Sequence, residues 1–168
     1  MSLDNRPHYS GGCQCGAVRF SVDGALGEAS ICHCRMCQKA AGNFYLPLVS
    51  VGEGKLEWTR GQPKRFQSSN AAKRGFCESC GTPLTYEGPD GVAISIGAFD
   101  HPEEIAPVVQ WGTEHKLPYV DAVSRLPGHE TLEDEAAASF LRELVSYQHP
   151  DHDTETWPPR LARRTDHE

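Results

Sequence analysis

The chain has 168 residues, which suits a single domain, and 38% of them are hydrophobic, a modest share for a globular protein. A domain with a thin core often needs an additional staple, and a bound metal is one such staple. The formal net charge of −7 speaks against a nucleic-acid-binding protein, since such proteins gain affinity from Lys and Arg that neutralise phosphates.

The polar N-terminus and the cysteine count indicate a cytoplasmic protein. Residues 1–10 lack the apolar segment of a signal peptide, and no apolar stretch reaches the roughly 18 residues of a membrane-spanning helix. Seven cysteines are an odd number, so complete pairing in disulfides would leave one over. In a reducing compartment, clustered cysteines more often bind metal or take part in catalysis.

Short strands are predicted along the first part of the chain. Residues 1–10 are expected to form a flexible leader, and residues 17–22 alternate apolar and polar side chains as a half-buried strand does. A helical turn is predicted at residues 38–41. A strand is predicted at residues 44–51, where Pro47 indicates a sheet edge or a bend.

Further strands are predicted in the middle of the chain. Weaker candidates are residues 56–58 and 65–67, and strands are also predicted at residues 84–86 and 108–111. The strongest pattern covers residues 92–98, where apolar side chains alternate with small or polar ones over seven positions.

A helix is predicted near the C-terminus. Thr131 can cap it, and acidic residues 133–135 in its first turn favour the positive end of the helix dipole. The apolar residues at helical spacing are Leu132, Ala136, Phe140, Leu144 and Tyr147, flanked by Leu141 and Val145. We expect this stripe to pack on the sheet and the residues after Pro150 to be extended or loosely ordered.

The cysteines fall into three groups with the spacing of metal ligands. The groups are Cys13-x-Cys15, Cys32-x-Cys34-x-x-Cys37 and Cys77-x-x-Cys80. Zn²⁺ prefers a tetrahedral set of thiolates, and short loops of this kind can present two sulfurs to one metal. Seven ligands suggest one set of four and one set of three.

Two glycines indicate which groups belong together. Gly16 directly follows the first group and Gly81 the third, and a glycine there can take a positive φ and let backbone amides point at the sulfurs. These groups therefore form a matched pair of loops for a closed structural site, whose metal would contribute folding free energy. Its ligands would be Cys13, Cys15, Cys77 and Cys80. The alternatives for these four are a disulfide or free thiols. A redox Cys-x-x-Cys, at Cys34–Cys37 or Cys77–Cys80, is a further alternative that lacks its usual βαβ context.

The second group offers three ligands and an open coordination position, the arrangement of a reactive zinc site. Zinc lowers the pKa of a bound thiol, so a substrate thiol would be held there as a thiolate at neutral pH. The alternative is a second structural site that a distant ligand such as His101 or His115 completes.

Residues beside the cysteines have two interpretations each. His33 lies between two ligands, where coordination of the same ion would be strained, so it either orients a substrate or packs. Lys73 and Arg74 precede Cys77 and could offset thiolate charge, although a solvated face is the commoner role of such residues.

Five segments carry a resemblance to one known family. They are residues 12–20 (GCQCGAVRF), 32–42 (CHCRMCQKAAG), 74–84 (RGFCESCGTPL), 96–100 (IGAFD) and 114–119 (EHKLPY). Together they resemble the glutathione-dependent formaldehyde-activating enzyme family, also called the GFA/CENP-V-type domain. The resemblance covers residues 11–127 and includes all seven cysteines.

This resemblance implies a mainly β, Mss4-like, zinc-stapled fold for residues 11–127. We expect residues 128–168 to add a C-terminal helix and an extended tail packed on the same domain. The resemblance also implies two zinc ions per chain. Cys13, Cys15, Cys77 and Cys80 match the ligands of a structural zinc, and Cys32, Cys34 and Cys37 match those of a second, catalytic zinc.

The activity for which the family is named joins formaldehyde to glutathione and gives S-(hydroxymethyl)glutathione, a carbon–sulfur lyase reaction. We therefore expect an enzyme whose partners are glutathione or another small thiol and a small aldehyde, with no nucleic acid or membrane partner. His33 is a candidate proton donor to the new hydroxyl, and a zinc-bound water is another. The alternative function is a non-catalytic zinc module that binds a protein or stores metal.

Overall fold

Short β-strands make up most of the regular structure in the computed structural model, which describes residues 6–133 and 135–157. The strands are β1 (His8–Gly12), β2 (Arg19–Asp23), β3 (Ala29–Cys32), β4 (Leu46–Val51), β5 (Leu56–Arg60), β6 (Lys64–Gln67), β7 (Lys73–Phe76), β8 (Pro83–Gly88), β9 (Gly91–Ser95) and β10 (Val109–Trp111). The α-helices are α1 (Arg35–Ala41) and α2 (Glu135–Glu143), and 3₁₀ helices cover Ile96–Ala98, Pro102–Glu104, Thr113–His115 and Val120–Arg125. The predicted mainly β class with a C-terminal helix is confirmed. Within the described ranges, no helix has the length and apolar content that crossing a membrane requires.

The described strands form two sheets whose hairpins carry the first and third cysteine groups. The small sheet has the order β1–β2–β5, and the large sheet has the order β10–β3–β4–β9–β8–β7–β6. Strand β10 runs parallel to β3, whereas the other paired strands are antiparallel. The β1–β2 connection carries Cys13 and Cys15, and the β7–β8 connection carries Cys77 and Cys80. Each of these two groups therefore lies at the end of a hairpin.

Aromatic side chains lie at the centre of the main core. Phe20 of β2 is fully buried, and its ring makes edge-to-face contacts with Phe99 and Trp58 at centroid distances of 5.1 and 5.9 Å. Contacts of this kind contribute roughly 0.5–1.5 kcal/mol each beyond the area they bury. The same buried cluster includes Val22, Val49, Leu84 and Ile94. Because its members come from both sheets, this core holds the small sheet against the large one.

The N-terminal residues are more ordered than predicted. Residues 8–10 belong to β1, because they pair with Asp23, Val22 and Ser21 of β2. The expected flexible leader is therefore wrong for these three residues, while residues 1–5 lie outside the described part of the chain.

Two strand predictions also need correction. The strand predicted at residues 92–98 ends at Ser95, and the 3₁₀ helix Ile96–Ala98 still buries its first and last side chains. The apolar alternation in the sequence therefore continues past the end of the strand, into the 3₁₀ helix. Pro47 lies in β4, which is an interior strand, but β9 pairs with β4 only from Leu48 onward. One side of Pro47 thus has no neighbouring strand, which is where a proline is tolerated.

Most of the apolar stripe of the C-terminal helix is exposed. Helix α2 begins at Glu135, later than the predicted cap at Thr131. More than half of the surface is exposed for Leu132, Phe140, Leu144, Val145 and Tyr147. The packing prediction is therefore wrong for these side chains, since helical spacing reveals an apolar face but not whether a partner surface exists. Asp134, the side chain of Ala136 and residues 158–168 lie outside the described part of the chain.

The segment after α2 contacts the first cysteine loop. His149 is buried, and its backbone N–H donates a hydrogen bond to the carbonyl of Gln14 at 2.7 Å. The indole Nε1 of Trp157 donates to the carbonyl of Cys15, also at 2.7 Å. The C-terminal segment therefore covers one side of this loop and satisfies two of its backbone carbonyls. The division of the chain at residue 127 stays a prediction.

A buried ion pair joins β2 to the turn after Phe99. Arg19 and Asp100 are both buried, and the guanidinium donates to the two carboxylate oxygens at 2.7 and 2.6 Å. Burial alone would raise the pKa of Asp100, but hydrogen bonds from Arg19 and Ser10 outweigh it and hold that pKa below its ordinary value. Asp153, whose side chain is 58% exposed, accepts a second pair of hydrogen bonds from Arg19.

We expect Asp100→Asn to lower the free energy of unfolding by about 3 kcal/mol at pH 7, because it leaves a buried guanidinium without its main counter-charge. Since the pKa of Asp100 is lowered in the folded state, its contribution is present above the unfolded pKa of about 3.9 and is lost as the pH falls through the folded value. Urea unfolding at pH 7 and at successively lower pH should therefore show the gap between wild type and variant shrinking. The control, Asp153→Asn, removes the exposed partner and should cost less than about 1 kcal/mol. Equal losses in the two variants would contradict the prediction.

Candidate metal centres

The first and third cysteine groups sit on two loops of similar construction. The N–H of Gly16 donates to the carbonyl of Cys13 at 3.0 Å, and the N–H of Gly81 donates to the carbonyl of Cys77 at 2.8 Å. Gly16 and Gly81 have φ values of 78° and 80°, a region that favours glycine. The predicted positive φ at both positions is confirmed. Each loop thereby turns two cysteine side chains toward the same point.

The four sulfurs of these loops have the spacing of a tetrahedral zinc site. The Sγ atoms of Cys13 and Cys15 lie 3.6 Å apart, and those of Cys15 and Cys77 lie 3.9 Å apart. With Cys80, all four Sγ atoms lie within 4.8 Å of one another. Four sulfurs bound to zinc at about 2.3 Å would be separated by about 3.8 Å, so the residues present fit this metal. No disulfide joins any of the seven cysteines, which argues against the disulfide alternative.

Neutral groups donate hydrogen bonds to the four-cysteine cluster. The N–H of Val18 donates to Sγ of Cys13 at 3.3 Å, and the hydroxyl of Thr82 lies 3.1 Å from Sγ of Cys80. Burial raises the pKa of Cys13 and that of Cys77 in the metal-free chain. Burial also acts to raise the pKa of Cys80, but the hydrogen bonds from Thr82 lower it to about 6. A cation is therefore the natural means of holding the more buried thiols as thiolates.

The second cysteine group is built on the end of β3 and the start of α1. Cys32 is the last residue of β3, and Cys34 is the N-cap of α1, where its Sγ accepts a hydrogen bond from the N–H of Cys37 at 3.4 Å. The helix ends at Ala41, and the C-cap residue Gly42 has a φ of 60°. The three Sγ atoms of the second cysteine group lie within 4.8 Å of one another. A strand end and one helical turn thus gather three ligands within six residues.

The three-cysteine cluster has no fourth metal-ligating side chain within residues 6–133 and 135–157. His101 is exposed and lies 3.2 Å from a carboxylate oxygen of Glu103. His115 is also exposed, and its nearest acidic neighbour is Glu114 at 3.8 Å. Neither histidine is grouped with the three sulfurs, so the structure does not support a site closed by either of them.

A buried arginine faces this cluster. Arg74 is 5% exposed, and its Nη2 donates to Sγ of Cys37 at 3.3 Å. A hydrogen bond with Cys37 lowers the pKa of Cys32, and the same bond together with burial raises the pKa of Cys37. Sequence reasoning placed Arg74 near Cys77 or on a solvated face, so its contact with the other cluster is a finding of the structure.

His33 is buried beneath the loop between its two cysteine neighbours. Its ring is 1% exposed and packs edge-to-face on Tyr45 at a centroid distance of 5.6 Å. Nε2 lies 2.9 Å from Oε1 of Gln110, while Nδ1 has no hydrogen-bond partner among the residues that the structure describes. Its backbone carbonyl accepts a hydrogen bond from Nε2 of Gln38 at 2.7 Å. His33 therefore joins the cysteine loop to α1 and β10.

Two further residues shape the cluster that the sequence did not single out. Gln38 is buried and bridges the carbonyls of His33 and His115 at 2.7 and 3.0 Å. Gly112 has a φ of 65°, and a Cβ there would lie 2.9 Å from the backbone N of Cys34. The positive φ and the close approach both require glycine. In the sequence, the only sign of this close approach to Cys34 was that Gly112 stands alone before a polar turn.

Comparison with known proteins shows which family this chain matches. The sequence model of the family described as "Glutathione-dependent formaldehyde-activating enzyme" matches residues 8–114. A curated protein from Schizosaccharomyces pombe, named as an uncharacterized lyase, is 27% identical over 85 residues, which are 51% of this chain and 61% of that protein. The chain thus matches about three fifths of the length of that relative.

A solved structure supports the fold. The crystal structure of a Rhodobacter sphaeroides protein, determined as a structural genomics target, superposes with a TM-score of 0.50 at 21% identity. The superposition covers 60% of this chain and 98% of the other.

The match to the family model extends over more than half of the chain, and both cysteine clusters lie inside it. The resemblance seen in the sequence is confirmed, and the chain belongs to the glutathione-dependent formaldehyde-activating enzyme family.

Proposed function

We propose that the chain is a zinc-dependent carbon–sulfur lyase that acts on the adduct of glutathione, or another small thiol, with formaldehyde or another small aldehyde. The observation that carries the proposal is the three-cysteine cluster without a fourth protein ligand in the described residues. Family membership and a relative named as a lyase support the reaction class. Three thiolates and an open position are typical of reactive rather than structural zinc.

The reaction needs the thiol sulfur and the aldehyde carbon side by side. In the forward direction a carbon–sulfur bond forms, the carbonyl π bond breaks, and the proton lost by the thiol ends on the new hydroxyl. When bound, zinc at Cys32, Cys34 and Cys37 would keep a substrate sulfur in its thiolate form at neutral pH. The rigid strand end and helix start that carry these cysteines fix where that sulfur is held. Such positioning supplies a large part of the acceleration in bimolecular reactions.

The burial of His33 favours a positioning role over direct proton transfer. A general acid must come within hydrogen-bond reach of the group that it protonates. The Nε2 of His33 is taken by Gln110, and Nδ1 is enclosed. The catalytic role predicted for His33 stays a prediction, and a water at the site is the other candidate proton donor.

We expect His33→Gln to lower the melting temperature and the zinc content of the second site without changing the shape of the pH–rate profile. The reason is that the variant loses the packing on Tyr45 that fixes the cysteine loop. Thermal unfolding, metal analysis and the pH dependence of kcat measure the three quantities. Loss of one limb of the pH–rate profile with intact zinc content would instead make His33 the proton donor.

The two clusters should differ in what their loss does to the protein. We expect Cys77→Ser to unfold or strongly destabilise the chain, because the four-cysteine site joins hairpins from two sheets. We expect Cys34→Ser to leave the melting temperature nearly unchanged, to remove about one zinc per chain and to abolish activity. Circular dichroism melts and metal analysis of the two variants form a matched pair. Equal destabilisation by both would contradict the division into a structural and a catalytic site.

Glutathione should act on one of the two metals only. We expect two zinc ions per chain in the full-length protein, with glutathione changing the rate at which a chelator removes one of them. Formaldehyde should disappear faster with protein and glutathione together than with either alone. The control is S-methylglutathione, which lacks a free thiol and should have neither effect. A protein whose metals are both insensitive to thiols would be the non-catalytic zinc module instead.

A further inference from the structure

Arg74 is a buried cation that faces sulfur rather than a carboxylate. It lies in the middle of β7, where its neighbours across the sheet are Phe66 and Tyr86. Its Nε donates to the hydroxyl of Ser68 at 3.0 Å, its Nη2 donates to Sγ of Cys37 at 3.3 Å, and its guanidinium carbon lies 5.2 Å from the centre of the Tyr86 ring. These contacts fix the guanidinium from three sides.

The other buried arginine provides a contrast. Arg19 is paired with Asp100 and Asp153, whereas no carboxylate within residues 6–133 and 135–157 lies at ion-pair distance from Arg74. A buried guanidinium is costly unless an opposite charge compensates it. The sulfur that it contacts, that of Cys37, would supply this charge when a bound metal holds it as a thiolate. The position of Arg74 is therefore explained by a negative charge on the three-cysteine cluster.

The four-cysteine cluster does not use a cation in this way. Its described hydrogen-bond donors are neutral backbone amides and hydroxyls, among them the Val18 amide and the Thr82 hydroxyl. With zinc, four thiolates carry a fixed net charge of −2. Three thiolates with zinc carry −1 until an incoming thiolate adds a further negative charge. A permanent cation is useful at the cluster whose charge changes, because it offsets the repulsion that the fourth thiolate meets.

We propose that Arg74 is a positioning and specificity-determining residue of the second site, where its charge favours an anionic incoming ligand, a thiolate, over a neutral one. This inference rests on the proposed function, since it assumes that the open position receives a substrate thiol. The guanidinium contacts one of the three sulfurs at 3.3 Å. A unit charge at short range from an incoming thiolate, in a partly buried site, corresponds to about tenfold to a hundredfold in affinity. A neutral ligand at the same position gains little from that charge.

The test compares two small ligands on the Co²⁺-substituted protein, whose absorption bands report ligand exchange at the metal. 2-Mercaptoethanol binds as a thiolate and imidazole binds as a neutral donor, and neither depends on the recognition of glutathione. We expect Arg74→Met, which keeps the apolar stem, to weaken thiol binding about tenfold or more and to leave imidazole binding within about twofold. Arg74→Lys keeps the charge without the planar fork and should restore part of the preference.

Two controls complete the experiment. Lys73→Met removes a neighbouring exposed cation and should leave both affinities unchanged. Ser68→Ala releases one anchor of the guanidinium and should shift the preference in the same direction as Arg74→Met but less, which keeps the test available if Arg74→Met does not fold. Equal weakening of both ligands by Arg74→Met, or none, would overturn the inference. Wild-type protein that binds thiol but consumes no aldehyde would refute the proposed reaction alone.

Discussion

The ends of two hairpins, one from each sheet, lie side by side and bring four sulfur atoms together. The packing of the two sheets depends on this contact. Cys15 and Cys77 are 62 residues apart in the sequence, yet their sulfurs are 3.9 Å apart. Closing a loop of this length costs conformational entropy, and a chain of modest hydrophobic content has little excess stability to offset it. A metal that binds only the folded arrangement adds its binding free energy to folding. The Phe20 contacts and the Arg19–Asp100 pair adjoin the same β1–β2 hairpin, so core and cluster stabilise one junction.

The three-cysteine cluster obeys a different constraint. Its three cysteines lie within six residues and close no long loop, and the hydrogen bonds of β3 and α1 hold that segment. The residues that surround the cluster come from distant parts of the chain. Arg74 reaches it from β7, and Gly112 lets the chain after β10 pass close to Cys34. Local sequence therefore provides the ligands, and the tertiary fold sets their charge and access.

This difference explains what could be predicted from the sequence. The grouping of the cysteines into a set of four and a set of three could be predicted from their spacing, because the members of each loop are neighbours in the chain and the glycines after the first and third groups take a positive φ. The contact of Arg74 with Cys37 could not be predicted, since the strand order of the large sheet decides where that side chain ends. The apolar residues after Thr131 predicted an amphipathic helix, but their spacing could not show whether another surface of the chain packs against them. The end of β9 at Ser95 was missed because a 3₁₀ helix continues the same burial pattern.

The two clusters also differ in the elements that lie beside them. The C-terminal segment covers the four-cysteine side through bonds from His149 and Trp157 to the first loop. The three-cysteine side is bordered by Met36 of α1 and Trp111 of β10, whose side chains are more than half exposed. A structural metal stabilises the fold best when it is covered, because exchange of its ligands with solvent would weaken the link between the two hairpins. A site that receives a small molecule, as we propose for the three-cysteine cluster, needs an open side and a charge suited to that molecule. The exposed side chains of Met36 and Trp111 and the buried guanidinium of Arg74 lie at this cluster.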